Sequence, residues 1–157
     1  MLLTATFFTA LISLTSALPT TTKTLTKRAG GPAIKPIPST CALSNPYQQT
    51  TSAPSTFIPA ASAKSAQLYA AYYPSPSTNT TQMSQQCLEQ CYGYGTSTEC
   101  HSAYWAENIP VPAGYYGSPG GQLETACIFY TRALTAADLE AAPEGQGTSS
   151  FARNIAC

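Results

Sequence analysis

The chain has 157 residues, with seven Lys and Arg against seven Asp and Glu, one His and six Cys. Charged side chains make up 9% of it, where an average soluble domain carries about 25%. Seven basic groups cannot build the positive face that nucleic acid requires, and so sparse a charge does not hold a chain open by self-repulsion. The length accommodates one domain with a tail.

The chain opens MLLTATFFTALISLTSA. The apolar run from Leu2 to Leu14 is shorter than the roughly 20 residues that cross a bilayer. It ends on Thr15-Ser16-Ala17, small residues suited to signal peptidase. Residues 1–17 therefore read as a secretory signal, although the n-region carries no positive charge; the competing reading is a buried N-terminal strand or helix. PTTTKTLTKR follows, and Lys27-Arg28 ahead of Ala29-Gly30-Gly31 looks like a kexin-type dibasic processing site, which makes residues 18–28 a propeptide. The alternative is an ordinary exposed pair in a polar tail. A mature chain from Ala29 keeps four basic groups against seven acids, a net charge of −3. No other hydrophobic run approaches membrane length, so the mature form is expected to be extracellular and free of the membrane.

Residues 29–40 read as a flexible linker. The domain then runs over 41–157 with a Ser/Thr/Pro-rich first segment, in which Lys64 is the only charge between Lys35 and Glu89. Ser, Thr and Pro at this density permit O-glycosylation. Gln67–Tyr73, with Leu68, Tyr69, Tyr72 and Tyr73, is a candidate strand. Asn79-Thr80-Thr81 is the only N-glycosylation sequon, and it predicts a surface loop. A helix is expected from about Gln82 to Tyr92, capped by the Thr80 or Thr81 hydroxyl. Met83, Cys87 and Cys91 form its buried stripe with Leu88 and Tyr92 beside them, and Gln85, Gln86, Glu89 and Gln90 take the polar side. Gly93 and Gly95 stop it.

Cys100–Ala106 and Ala126–Thr131 read as strands. The segment between them, IPVPAGYYGSPGGQLE, is dense in Gly and Pro and reads as loop. A short second helix is expected from Thr135, with Asp138 completing a capping box and Pro143 ending it. The tail SSFARNIAC closes the domain on Cys157.

An even cysteine count in a secreted chain implies disulfides, here three, with 15 connectivities open. Zinc at Cys87, Cys91, Cys100 and His101 is the rival reading. Its spacing does not fit the common zinc modules, and the oxidising route disfavours free thiolates, so no metal is expected.

CLEQC at 87–91, ECHSAYW at 99–105 and ACIFY at 126–130 together resemble the PAN/apple domain, over about Gln86 to Cys157. The resemblance implies an α+β fold, with one main helix pinned to a small antiparallel sheet. It also implies the nested pairs Cys41–Cys157, Cys87–Cys127 and Cys91–Cys100. With that pairing, Cys91 reaches Cys100 through the Gly-rich turn, and Cys87, one helical turn away, faces a different strand. The function implied is non-enzymatic: recognition of an extracellular protein or a polysaccharide at a cell surface or wall. PVPAGYYGSPGGQLETAC is also similar to segments of small secreted proteins of filamentous fungi, and the dibasic site fits such a source.

Enzymatic chemistry finds little support. A nucleophilic triad needs a base, and the lone His101 reads as a polar strand-edge residue. A glycosidase dyad would draw on Glu99, Glu107, Glu124, Asp138, Glu140 or Glu144, with Glu99 and Glu107 flanking the aromatic strand. No nucleophile elbow, P-loop or calcium loop is present, and no cofactor is implied. The aromatic side chains are more informative. Tyr104 and Tyr130 are expected in the core. Trp105, Tyr115 and Tyr116 are the candidate ligand contacts, the two tyrosines because they sit in a Gly/Pro loop. The alternatives are a structural or effector-like secreted protein without glycan binding and a small hydrolase.

Overall fold

The computed structural model describes residues 32–47 and 56–157. The expected signal, the expected propeptide and the Lys27-Arg28 pair lie outside the described residues. Strand β1 is Ala42–Ser44, β2 is Phe57–Pro59 and β3 is Gln67–Tyr73; helix α1 is Thr80–Tyr92; β4 is Ser102–Pro110, β5 is Leu123–Tyr130, β6 is Leu139–Ala141 and β7 is Thr148–Ala156.

The middle of β4 is apolar without interruption, Ala103-Tyr104-Trp105-Ala106, and all four residues are buried. A strand sends successive side chains to opposite faces, so such a run requires cover on both sides. The sheet is antiparallel, in the order β1-β7-β4-β5-β3, with β4 at its centre. Ala103 and Trp105 point to one face with Cys127, Phe129 and Ile155, where α1 covers them with Met83, Cys87, Leu88 and Cys91. Tyr104, Ala106, Ala126, Ile128, Tyr130 and Ala152 point to the other face. There the cover is a second, two-stranded sheet, β2 with β6, together with 3-10 turns at Ala61–Ala66 and Ala136–Asp138. The protein is thus a three-layer α+β fold, helix on sheet on small sheet.

The three disulfides join Cys41 to Cys157, Cys87 to Cys127 and Cys91 to Cys100, the pairs that the family resemblance implies. Cys87 fastens the middle of α1 to β5, and Cys91 fastens its end to the residue before His101 and β4. The third bridge joins the residues flanking β1 and β7, which pair Ala42 with Ala156.

Several expectations are corrected. The helix begins at Thr80, and its N-cap is Asn79 rather than Thr80 or Thr81: the Gln82 N–H donates to Asn79 Oδ1 at 3.0 Å. Residues 32–40 are not a free linker. The Lys35 N–H donates to the Glu89 carbonyl at 3.2 Å, Lys35 Nζ donates to Ser97 Oγ at 2.8 Å, and Ile37 packs on the helix-side core. Gly93 serves that contact, because a Cβ there would lie 2.1 Å from the Ala33 carbonyl oxygen. The capping box at Thr135 and Asp138 is present, but the helix it opens is one 3-10 turn. The chain then extends into β6, where Leu139 is buried and pairs with Pro59. Both flanking strands reach into the expected loop, β4 to Pro110 and β5 from Leu123, leaving residues 111–122 as loop. The tail is a nine-residue strand beside β4.

Asp138 locks the small sheet in place. Arg132 donates to it twice, at 2.6 and 2.8 Å, and the Thr135 N–H and hydroxyl donate at 2.9 Å each. The Arg132 bonds hold the Asp138 carboxyl well below the usual carboxylate range against the opposing effect of burial, and Thr135 adds to the shift.

Candidate functional site

Register places four strand ends together at one end of the large sheet. Pro110 lies opposite Leu123, Tyr73 opposite Thr125 and Glu107 opposite Thr148. The β4–β5 loop leaves from this end. Its neck is closed by the Val111 N–H donating to the Gln122 carbonyl at 2.9 Å and the Gly121 N–H donating to the Val111 carbonyl at 2.8 Å. Gly120 is needed in the neck, since it sits at φ +83° and a Cβ would come within 2.6 Å of the Ala113 nitrogen. Ser118 Oγ accepts from the Gly120 N–H at 3.0 Å and from Gln122 Nε2 at 2.7 Å. The tip, Tyr115–Gly117, carries Tyr116 in the left-handed region at φ +45°, an uncommon and strained place for a bulky side chain.

The loop doubles back along β3, an edge strand. The Tyr72 N–H donates to the Tyr115 hydroxyl at 3.1 Å, and the two rings meet edge-on with centroids 4.9 Å apart. This covers a backbone donor that an edge strand would otherwise present to other chains. Tyr116 packs edge-on against Tyr115 at 4.7 Å and is 93% exposed. Around the same edge, Tyr69 lies 5.9 Å from Tyr94 and 5.0 Å from Phe129, and Trp105 Nε1 donates to the Tyr73 hydroxyl at 3.3 Å. Burial raises the Tyr69 phenol above its ordinary value, and the nearby phenols of Tyr115, Tyr116, Tyr94 and Tyr73 add to the effect. Tyr72 and Tyr73 are raised as well, chiefly by burial. These three phenols therefore stay neutral at physiological pH. The result is a tyrosine-rich surface with one ring, that of Tyr116, held outward on a braced loop.

A shallow cleft of about 230 Å³ opens at the same end, lined by Pro74, Ser75, Glu107, Asn108, Leu123, Glu124 and Thr125. β4 bulges here between Ala106 and Ile109, with Asn108 at φ +57°. The one dyad that the sequence made conceivable, Glu99 with Glu107, is not formed. Eight residues of largely extended chain, about 3.3 Å each, separate them, whereas glycosidase carboxylates stand about 5–9.5 Å apart. The carboxylates sharing a cavity are Glu107 and Glu124. His101 is exposed at the opposite end of β4, where its backbone N–H donates to the Tyr130 carbonyl and its carbonyl accepts from the Ile155 N–H. Among the described residues no cluster of three His, Cys, Asp or Glu side chains could hold a metal ion.

Of the candidate ligand contacts, Trp105 is corrected. It is fully buried beneath α1, because both faces of β4 are covered. Tyr115 is half-buried and braces the loop, and Tyr116 is the contact left open. Asn79 is exposed, as a glycan acceptor must be. Tyr104 and Tyr130 are core residues, with burial raising both phenols far above their ordinary value. Sequence reasoning missed Tyr69, Tyr72 and Tyr73 as part of the surface. Their signal was in plain view: a Tyr-Ala-Ala-Tyr-Tyr strand places aromatic rings on both faces beside a Tyr-Tyr loop.

The chain matches no protein-family model, no curated protein and no solved structure.

Proposed function

We propose that this protein is a secreted, non-enzymatic binding module, PAN/apple-like in character, that recognises an uncharged ligand at a cell surface or wall, either a polysaccharide or a protein segment. The observation that carries this reading is Tyr116, 93% exposed on a loop that hydrogen bonds and Tyr115 hold in one shape. Exposing a large aromatic ring on strained backbone costs stability, and such strain clusters where a surface is used. Tyr rings present an apolar face for stacking and a hydroxyl for hydrogen bonding, and preorganisation lowers the entropy lost on binding. Three disulfides persist in oxidising compartments, which supports an extracellular site of action; maturation at Ala29 rests on the Lys27-Arg28 pair in the sequence.

The secreted chain, displayed against an array of wall polysaccharides and cell-surface proteins, should be retained on at least one of them. Retention on none favours a structural or effector-like role. A second reading, a small hydrolase, draws on the cavity shared by Glu107 and Glu124. Release of reducing ends from a wall polysaccharide, abolished by Glu107→Gln, would favour it over binding.

A further inference from the structure

The two disulfides of α1 hold Cys87 and Cys91, so its first two turns have no covalent tie to the sheet. Beside those turns runs a groove of about 520 Å³ between α1 and the start of β7. Thr80, Thr81 and Ser84 line it from the helix, and Ser149, Ser150 and Phe151 line it from the strand; no charged residue does. The Ser84 and Ser149 hydroxyls donate within the protein, to the Thr81 carbonyl at 3.1 Å and to Glu107 Oε2 at 3.4 Å. They keep lone pairs with which to accept from a ligand. Phe151 is half-buried, and the Arg153 guanidinium lies over its ring, 5.0 Å from the ring centre. A groove lined by hydroxyls and the Gln85 amide beside one aromatic ring suits a sugar, which donates hydrogen bonds around its rim and packs its C–H groups against a ring.

The sequon adjoins this groove, for Asn79 directly precedes Thr80, which lines it. Asn79 is exposed, and its Oδ1 is committed to capping α1. Its Nδ2 makes no hydrogen bond among the described residues. Glycosylation consumes the atom that the cap does not use. The Nδ2–C1 bond forms as the C1–O bond of a polyprenyl-diphosphate-linked oligosaccharide breaks, one Nδ2 proton is lost, and the diphosphate leaves. The product is still an amide whose oxygen can accept from Gln82.

We propose that the groove holds the first sugars of a glycan on Asn79, with N-acetylglucosamine against Phe151, so that the glycan ties the start of α1 to β7. This inference rests on occupancy of Asn79 and is independent of the tyrosine surface. The test compares the secreted glycoprotein with forms trimmed to one N-acetylglucosamine and with forms released by a peptide N-glycanase. Release leaves Asp at position 79, which still caps the helix and whose negative charge is itself favourable at a helix N-terminus, so a fall in Tm on release reports the sugar. Full release should lower the wild-type Tm by roughly 3–5 °C, trimming to one sugar should retain most of that effect, and Phe151→Leu should make the Tm insensitive to release. In the wild type, nuclear Overhauser contacts should connect the first N-acetyl methyl group with the Phe151 ring, a readout that needs no variant. An occupied Asn79 with no such contact and a Tm indifferent to glycan release overturns the docking while leaving the sequon reading intact. A secreted chain whose mass shows no glycan overturns both.

Discussion

Replacing Cys41 and Cys157 together by Ser opens the largest covalent loop, one of sequence separation 116. Chain-entropy arithmetic assigns that closure about 4.8 kcal/mol, against about 2.6 kcal/mol for the nine-residue separation of Cys91 and Cys100. Local packing predicts the opposite order. β1 is exposed along its whole length and Cys157 is exposed, while Cys91 is fully buried and Cys100 nearly so. The two accounts therefore part at this pair of double mutants. A native domain is stable by only about 5–15 kcal/mol, so the terminal bridge carries a large share. With a urea m-value of about 2 kcal/mol per molar, the Cys41→Ser/Cys157→Ser variant should lose about 2.4 M in unfolding midpoint, followed by the fluorescence of Trp105, the sole Trp. A fall below about 0.5 M with an unchanged slope would refute restraint of the unfolded chain as the role of this bridge.

Three further outcomes are expected. Asp138→Asn should cost about 1.5–3 kcal/mol, since it weakens charge-assisted bonds to a buried acceptor. Because Asp138 titrates lower folded than unfolded, the wild type should hold this contribution above the unfolded carboxylate value of about 3.9 and lose it as pH falls further; a urea midpoint that is flat from pH 5 to pH 2.5 would contradict it. Trp105 should emit at short wavelength, resist iodide quenching and show no spectral change on ligand binding, because it is fully buried; ready quenching would place it at the surface after all. Gly93→Ala should push the Ala33 carbonyl away from the helix end and expose Pro32–Ile37 to limited proteolysis, whereas a proteolytic pattern identical to wild type would show that the contact does not hold the segment.

The parts of the fold legible in the sequence are those with a strong local period. Met83, Cys87 and Cys91 at four-residue spacing marked α1, and the aromatic runs marked β3, β4 and β5. Weakly patterned pieces escaped. β7 carries Arg153 and Asn154 amid its apolar residues, and β2 and β6 are three residues each, made into strands by each other and not by propensity. Missing β2 and β6 had a further consequence. With only a helix expected against the sheet, one of the neighbours Tyr104 and Trp105 had to face outward. The small sheet covers the second face, so both are buried. At Asn79 the competition was between adjacent capping residues, and side-chain oxygens of similar capping strength leave that choice to the path of the incoming chain. The Gly/Pro loop carries one exposed tyrosine, Tyr116, while Tyr115 is half-buried, because the loop's course back along β3 is a tertiary fact that no local pattern records.

On the proposed function, Tyr116 is a binding contact and not a structural one. Its most direct test is a binding isotherm for the best ligand of the array, measured on the wild type and on Tyr116→Ala. A truncated aromatic anchor typically costs at least about 2 kcal/mol, or roughly 30-fold in Kd, while a ring 93% exposed contributes little to folding. Tyr116→Ala should show that loss of affinity with an unchanged urea midpoint. Equal affinity for the two proteins, or a loss that merely follows a fall in stability, would contradict it.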